Sequence, residues 1–331
     1  MNDTPVIFDT SDGQDLRINM IGSWLKRRFG RKIVKLSIDG GFTCPNRDGS
    51  KGWGGCVFCS DSGSGDLASS ISGDDIAAAL EEQIQLLSVK WPRAGYIAYF
   101  QSHTNTYGPA EKLRELFTAA LRHPDVIGLA VATRPDCISD EALDVLAELG
   151  EQTFLWVELG LQTIHDETAR AMNLCHTLAD YEDAVRRLHA RGLRVVTHLI
   201  LGLPGETREM MLDSVRYVCR PLDGQLFGLK LHMLNVVSNS ALPSRYPDYD
   251  PFPSIDVYTD LLIEALELIP PGITIHRISG DAPRPVLIAP EWSWRKRTIL
   301  NEVHRKMRTR NTWQGRRAGG IDAGRSSTER V

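Results

Sequence analysis

Three cysteines in one glycine-rich segment are the residues of this sequence best suited to chemistry. Cys44, Cys56 and Cys59 follow the spacing C-x11-C-x2-C, and cysteine thiolates bind iron–sulfur clusters and zinc. A structural zinc ion needs four protein ligands, whereas three thiolates without a fourth local ligand suit a [4Fe–4S] cluster that keeps one iron open. The spacing therefore favours a cluster. Zinc stays open, because a distant histidine or cysteine would complete its site, and so does a purely structural role for the segment.

The other cysteines give no sign of a disulfide framework. The chain has six cysteines in 331 residues, and residues 1–10 lack the basic and then apolar pattern of a secretory signal. We interpret Cys137, Cys175 and Cys219 as small buried apolar residues.

Composition indicates an ordinary globular protein. Apolar residues make up 42% and charged residues 24% of the chain, as in most globular proteins. The 38 basic and 42 acidic residues leave a formal charge of −4, so no global field attracts nucleic acid. No apolar run approaches the roughly 20 residues of a membrane span. We expect a cytoplasmic protein without a membrane partner.

Apolar and amphipathic stretches alternate along the chain, as strands and helices do in α/β proteins. Six strands are predicted, at residues 33–38, 96–101, 127–133, 153–161, 194–201 and 226–234. Helices are predicted at residues 75–89, 111–121, 140–149, 179–190 and 206–219. Strands that are each followed by a helix form a parallel sheet, and a curved, barrel-like version places function at the carboxyl ends of its strands.

Polar residues and glycines stand at those carboxyl ends. The cysteine segment follows the first predicted strand, Gln101 and Ser102 the second, Gln162 the fourth, and a turn with Gly202 and Pro204 the fifth. Carboxyl ends of parallel strands meet at one rim, so we expect these residues to surround one site. Their shared location favours the cluster over zinc.

Seven short runs resemble the radical S-adenosylmethionine (SAM) superfamily, and more narrowly the branch related to the elongator catalytic subunit and the YhcC-like or YtqA-like family. They are residues 44–49 (CPNRDG), 62–66 (SGSGD), 99–107 (YFQSHTNTY), 132–136 (ATRPD), 158–163 (ELGLQT), 198–206 (HLILGLPGE) and 311–315 (NTWQG). No single run is specific, but their joint order is. The long loop between the first two cysteines is typical of this branch.

The resemblance implies an α/β fold, a partial (β/α)6 radical SAM barrel with a C-terminal strand and helix extension. We expect a helical lead-in at residues 1–32, the barrel with its cluster loop at 33–240 and an extension with a basic helix at 241–318. Residues 319–331, rich in glycine, serine and charge, are expected to be a disordered tail.

The resemblance also implies the chemistry. Cys44, Cys56 and Cys59 would hold three irons of a [4Fe–4S] cluster, and SAM would bind the fourth through its methionyl amine and carboxylate. An electron from a reduced flavodoxin or ferredoxin-type donor would then cleave SAM and leave a 5′-deoxyadenosyl radical, which abstracts hydrogen from the substrate. The protein would bind, orient and exclude water.

Residues near the second strand end are expected to contact SAM or substrate. Gln101 and Ser102 correspond to the position where this superfamily binds the methionyl amine through backbone carbonyls. His103 and Tyr107 are candidates to face the substrate.

Two further strand ends complete the expected SAM site. Gln162 and His198 are placed to contact the ribose or the carboxylate of SAM, although an amide at the rim can also be satisfied by backbone groups. Gly202 and Pro204 would let adenine approach the backbone, and they are equally consistent with an ordinary turn.

One position departs from the family pattern. The segment after the fourth strand usually reads Asn-Arg-Gly-His, with the arginine able to pair with the SAM carboxylate, and here Leu174 replaces that arginine. Leucine cannot act as a bidentate donor. Arg170 is one candidate substitute; the alternatives are weaker SAM binding, or other partners for the carboxylate that make Leu174 neutral.

The C-terminal region leaves the substrate open. Residues 273–279 are predicted to form a strand and residues 291–310 a helix, and residues 295–317 contain nine lysines and arginines against one acidic residue, Glu302. This stretch is either a solvated face or an attraction for RNA phosphates. Relatives in the elongator branch modify wobble uridines, so the leading hypothesis is a radical SAM enzyme acting on tRNA. The alternatives are a radical SAM enzyme acting on a small metabolite and a non-catalytic, metal-bearing RNA-binding protein.

Overall fold

The computed structural model describes residues 6–8, 15–63, 68–70, 76–280 and 282–319. Residues 64–66 of the second family motif and residues 320–331 of the predicted disordered tail lie outside the described residues. No helix among the described residues is both long and apolar enough to cross a membrane.

A parallel sheet of eight strands curls into an open barrel, which confirms the predicted α/β partial barrel. Its strand order is β2-β1-β3-β4-β5-β6-β7-β9, and β8 and β10 form a separate antiparallel pair. The strands are β1 (Ile33–Asp39), β2 (Ser69–Ser70), β3 (Gly95–Phe100), β4 (Val126–Thr133), β5 (Phe154–Gln162), β6 (Arg194–Leu201), β7 (Gly228–Met233), β8 (Val236–Val237), β9 (Thr274–Arg277) and β10 (Leu287–Ala289).

Ten helices accompany the described strands. They are α1 (Ile21–Phe29), α2 (Ile76–Ser88), α3 (Ala110–Leu121), α4 (Asp140–Gln152), α5 (Asp166–Ala171), α6 (Leu178–Ala190), α7 (Arg208–Val218), α8 (Leu242–Arg245), α9 (Ile255–Leu268) and α10 (Lys296–Thr309). Helix starts follow their capping residues: the hydroxyls of Ser139, Thr177 and Thr207 accept hydrogen bonds from backbone N–H groups in the first turns of α4, α6 and α7. These caps fix where the chain turns back from the barrel rim.

Aromatic side chains fill the amino end of the barrel. Trp24 of α1 stacks on Phe154 with ring centroids 5.7 Å apart and meets the edge of Phe227 at 5.1 Å. Trp156 is fully buried behind them. Because α1 covers this end with apolar surface, the opening of the barrel lies at the carboxyl ends of the strands.

The C-terminal region contributes to the barrel itself. β9 pairs with β7 in parallel, so the sheet does not end at residue 240; the domain boundary proposed there stays a prediction. Gln314, which is fully buried, joins both parts of the chain: its Oε1 accepts from Asn19 N at 2.9 Å, and its Nε2 donates to Ile273 O at 2.8 Å. We call this contact the Gln314 clamp.

Part of the charge of the predicted basic helix is paired with carboxylates of the protein itself. Lys306 on α10 is 4% exposed and pairs with Asp256 and Asp260 of α9 at 2.5 and 2.6 Å. Arg310 pairs with Asp260, and Arg305 with Glu302. This part of the helix is therefore held against α9.

Candidate active site

One cavity of about 320 Å³ opens at the carboxyl ends of the barrel strands. Its wall includes all three cysteines of the C-x11-C-x2-C segment, and it also includes Gln101, His103, Gln162 and His198. Ser102, Tyr107, Gly202 and Pro204 do not line it. The structure thus brings together six of the nine residues proposed to bind the cluster or SAM, and also His103.

The cysteine loop is shaped by its own backbone and by Arg47. The N–H groups of Arg47 and Asp48 donate to Cys44 O, and Cys59 N donates to Cys56 O at 2.9 Å. The Arg47 guanidinium donates to Ser60 O. A side chain at Gly55, whose φ is +76°, would bring its Cβ within 2.9 Å of Arg47 Nε. The glycines predicted to let the loop wrap closely therefore have a steric reason here.

Asn46 and Asn173 tie this loop to the chain after β5. Asn46 is fully buried, and its Nδ2 donates to Asn173 O and approaches Cys56 Sγ at 3.6 Å. Asn173 Nδ2 donates in return to Gly55 O at 2.8 Å. Burial, followed by the neighbouring Cys59, raises the pKa of the Cys56 thiol to about 12, so metal binding there must displace a proton.

The donor set fits an iron–sulfur cluster. Among the described residues, no three cysteine, histidine, aspartate or glutamate side chains converge on one point where a single ion could bind. Thiolates that each bind a different iron need a wider spacing than the ligands of one ion, so three cysteines around a shared cavity are compatible with a cluster.

Several polar atoms of the cavity wall could form hydrogen bonds to a ligand. Thr104 Oγ1, His232 Nε2 and Asn235 Nδ2 are buried without a hydrogen-bond partner among the described residues. Leaving a buried polar group unsatisfied costs about 1–3 kcal/mol. A polar molecule bound in the cavity would remove that cost.

The loop after β3 is held by Asn105 rather than by Ser102. Asn105, fully buried, donates from Nδ2 to Ser102 O at 3.0 Å and to Ala132 O at 2.9 Å. The Ser102 carbonyl is therefore already used inside the protein. Gln101 remains the residue of this pair that lines the cavity.

A β-bulge aims Gln162 into the cavity. The pairing of β5 with β6 shifts register between Gly160 and Gln162, and Gln162 has a left-handed φ of 73°. Its side chain folds over Gly160, where an added Cβ would lie 2.7 Å from Gln162 Nε2. Bulges often re-aim side chains next to active sites, and the strained φ is consistent with that role.

Glu158 sets the tautomer of His198. His198 Nε2 lies 2.9 Å from Glu158 Oε2. Burial, followed by Lys230, lowers the pKa of His198 to about 4, so the ring is neutral near pH 7. Burial alone would raise the pKa of Glu158, but Lys230 and Lys35 hold it well below its ordinary range. The carboxylate can only accept, so Nε2 carries the proton, and Nδ1 is left as an acceptor suited to a hydroxyl rather than a carboxylate.

The charged layer below the cavity was not found from the sequence. Glu158, fully buried, also accepts from Trp156 Nε1 at 2.8 Å and pairs with Lys230. Lys230 Nζ donates to Tyr99 Oη at 2.8 Å, and Tyr99 lines the cavity. The available signal was the period of two: charged or polar residues recur at inward positions of otherwise apolar strands.

The proposed substitute for the missing arginine needs correction. Arg170 is exposed on α5 and does not line the cavity. Leu174 is buried in the cavity wall, and its carbonyl accepts from Arg134 Nη1 at 2.8 Å. Arg134 is itself part of the cavity wall, and its guanidinium donates two hydrogen bonds to the Asp136 carboxylate. Cationic groups near a SAM carboxylate would have to come from arginines such as Arg134 rather than from Arg170.

The remaining predictions have mixed outcomes. The turn at Gly202 packs against another loop: a Cβ there would lie 2.7 Å from Pro251 Cβ, and Gly202 O accepts from Tyr249 Oη at 2.9 Å. Its role near adenine stays a prediction.

Cys137 and Cys219 are buried as expected, whereas Cys175 is exposed, because the segment after α5 turns its side chain toward solvent.

Comparison with known proteins agrees with this architecture. The sequence profile of the Radical SAM superfamily matches residues 44–218, and that of the Radical_SAM C-terminal domain matches residues 227–309. The Bacillus subtilis protein YtqA is 42% identical over 301 residues, which is 91% of this chain and 92% of YtqA. Escherichia coli YhcC is 39% identical over 87% of this chain and 91% of its own length.

More distant similarities include proteins named for tRNA. The tRNA uridine(34) acetyltransferase of Dehalococcoides mccartyi is 30% identical over 55% of this chain and 40% of its own length. A solved structure of Elp3 from the archaeon Methanocaldococcus infernus, with an N-terminal deletion, has a TM-score of 0.62 at 18% identity. It covers 85% of this chain, and this chain spans only 64% of it. That similarity concerns the fold.

The cysteine loop at the rim of a partial barrel and the match over most of the chain have one explanation. The protein belongs to the radical SAM superfamily, whose enzymes use a [4Fe–4S] cluster and S-adenosylmethionine.

Proposed function

We propose that this radical SAM enzyme modifies tRNA at the wobble uridine or its side chain. The observation that carries the chemistry is the shared cavity of Cys44, Cys56 and Cys59 with Gln162 and His198. Support for the substrate comes from the relatives that are named as a tRNA uridine(34) acetyltransferase and as elongator proteins.

The residues of the cavity have distinct proposed tasks. The three thiolates hold the cluster, which when bound supplies the electron for cleaving SAM. Gln101 and Gln162 hold polar groups of SAM, and His198 accepts from a ribose hydroxyl through Nδ1. The buried barrel wall behind them excludes water, because a radical intermediate must meet only its substrate.

The substrate is tested in cells and with purified components. Nucleoside mass spectrometry of tRNA from a strain lacking the gene should show loss of one modified wobble uridine and accumulation of its precursor. Reconstituted protein with dithionite should form 5′-deoxyadenosine slowly, and faster when precursor tRNA is added. An unchanged nucleoside profile, together with no stimulation by any tRNA pool, would move the substrate to the small-metabolite class. A colourless, zinc-loaded protein without SAM cleavage would contradict the enzyme itself.

A further inference from the structure

An exposed tryptophan lies between arginines on the β8–β10 side of the molecule. Trp294 is 44% exposed, and the guanidinium carbon of Arg284 lies 3.4 Å from the centroid of its ring. The corresponding carbon of Arg295 lies at 5.4 Å, and Arg297 is exposed close by in the chain. We call Arg284, Trp294, Arg295 and Arg297 the arginine–tryptophan patch.

The patch is connected to the wall of the active-site cavity. Ala282 and Val237 line the cavity, and Val237 of β8 pairs with Leu287 of β10. Arg284 follows Ala282 by two residues, so their Cα atoms are at most about 7 Å apart. The patch therefore lies next to one side of the cavity wall.

The arginines of the patch differ from the other arginines of the C-terminal region in their ion pairs among the described residues. No carboxylate of the described residues pairs with Arg284, Arg295 or Arg297, whereas Arg305 and Arg310 are paired on the same C-terminal region. The alternative is an ordinary solvated surface, on which exposed arginines and a single exposed tryptophan also occur. Exposed aromatic rings flanked by guanidinium groups are typical of surfaces that bind unpaired nucleotides.

We propose that the arginine–tryptophan patch binds the unpaired RNA nucleotides next to the base that enters the cavity. This inference rests on the proposed function, since it takes tRNA as the substrate. An enzyme that acts on a base must take it out of its stack, so the neighbouring nucleotides need a new stacking surface. Trp294 and the plane of Arg284 offer that surface, and the arginines neutralise adjacent phosphates.

The test compares matched variants of the full-length, reconstituted protein. The patch variant is Arg284→Ala/Trp294→Ala/Arg297→Ala. The control, Arg186→Ala/Leu86→Ala/Arg208→Ala, also removes two arginines and one exposed apolar side chain, at positions on outer helices that do not line the cavity. Binding of transcribed tRNA is measured over a range of salt concentrations, with the anticodon loop single-stranded or annealed to a complementary DNA strand.

The patch variant should bind single-stranded-loop tRNA at least about tenfold more weakly than wild type, as loss of base stacking predicts. The slope of log K against log salt should shrink by about 1.4, for two single-strand phosphate contacts. Annealing the loop should weaken wild-type binding to the same degree, and the control variant should behave as wild type. Iron content and thermal melting report whether each variant is folded.

A charge-preserving variant separates the loss of positive charge from the loss of the planar guanidinium groups. Arg284→Lys/Arg297→Lys keeps both charges but loses the planar groups, so it should keep the salt slope and still lose affinity for the open loop. If the patch variant binds tRNA with wild-type affinity and slope, the patch is not an RNA surface, while the tRNA function stands. If wild type itself binds no tRNA, both proposals fail together.

Discussion

At the scale of single residues, the side chain of Asn46 connects the two ends of the cysteine loop. Its Nδ2 bridges Cys56 Sγ and the backbone of Asn173, while a Cβ at Gly52 would come 2.3 Å from its Oδ1. Nothing in the spacing of the cysteines required this residue. The buried amide of Asn46 thus contacts the second cysteine of the loop and the chain after β5 at once.

Removing the thiols one at a time separates ligands from bystanders. Cys44→Ala, Cys56→Ala and Cys59→Ala should each lose most of the roughly four irons per chain, because only three anchors hold the cluster. Cys137→Ala and Cys219→Ala, which change buried core cysteines, should keep iron, as should the exposed Cys175→Ala. Iron analysis after anaerobic reconstitution measures this. Full loading of Cys56→Ala would exclude the three-cysteine cluster.

The buried pair of Glu158 and Lys230 allows a stability prediction. Glu158→Gln should lower the free energy of unfolding of the iron-free protein by about 3–5 kcal/mol, because it leaves Lys230 as an uncompensated buried charge. Lys230→Met should be costly for the same reason, since among the described residues Glu158 then keeps Lys35, at 3.7 Å, and His198 as partners.

Urea denaturation of the double variant provides the check. Glu158→Gln/Lys230→Met should cost clearly less than the sum of the two single changes, because the charges are removed together. Additive costs would mean that the two side chains do not stabilise each other.

The low pKa of Glu158 in the folded protein also makes the free energy of unfolding depend on pH. The stabilisation by Glu158 is fully present above the ordinary pKa range of glutamate, and it is lost as the pH falls toward the folded-state pKa.

At the scale of elements, the β5 bulge is the device that links fold and site. The apolar pattern placed β5 within one residue at each end, yet a regular strand would not turn Gln162 into the cavity by a register shift. Bulges depend on pairing with the neighbouring strand, which single-strand periodicity does not report. The left-handed φ of Gln162 could not be read from the residue type, since glutamine rarely adopts it.

The bulge gives a test of Gln162 that leaves Gln162 in place. Gly160→Ala puts a Cβ 2.7 Å from Gln162 Nε2, so the amide must move. SAM should bind about 2–12-fold more weakly to Gly160→Ala and to Gln162→Ala alike, the range for loss of one hydrogen bond of about 0.5–1.5 kcal/mol.

Calorimetric titration with SAM measures the effect, and Gly150→Ala on α4 is the control. Gly150 lies outside the cavity wall, and a Cβ there meets only Leu193 Cδ2, at 2.8 Å. SAM affinity of Gly160→Ala equal to wild type would remove Gln162 from the binding site.

At the scale of the whole molecule, the long barrel strands were predictable from the sequence. The short strands and the ion pairs between helices were not. All six predicted barrel strands exist, with ends shifted by at most two residues, because each is a continuous apolar run in a buried parallel sheet. β8 and β10, of two and three residues, are too short to carry a period. The surroundings of the basic stretch could not be predicted from the sequence either, since only the packing of α10 on α9 shows that Lys306 is buried and paired.

The lining of the candidate cavity was predictable in part. Spacing and family resemblance singled out the cysteines, Gln162 and His198, because strand ends converge at one rim. Lys230 and Glu158 were passed over, since a charge inside an apolar run has no local partner in the sequence. Arg170 was a candidate because it precedes Leu174 by four residues, but its side chain on α5 is exposed to solvent.

The Gln314 clamp has a consequence for how the protein is made. Asn19 and Gln314 are separated by 295 positions, so the ribosome must finish nearly the whole chain before the buried segment around residue 19 acquires this partner. Contacts of such long sequence separation form slowly. The segment around residue 19 therefore gains its hydrogen bond to Gln314 only late in synthesis, when both ends of the barrel are present.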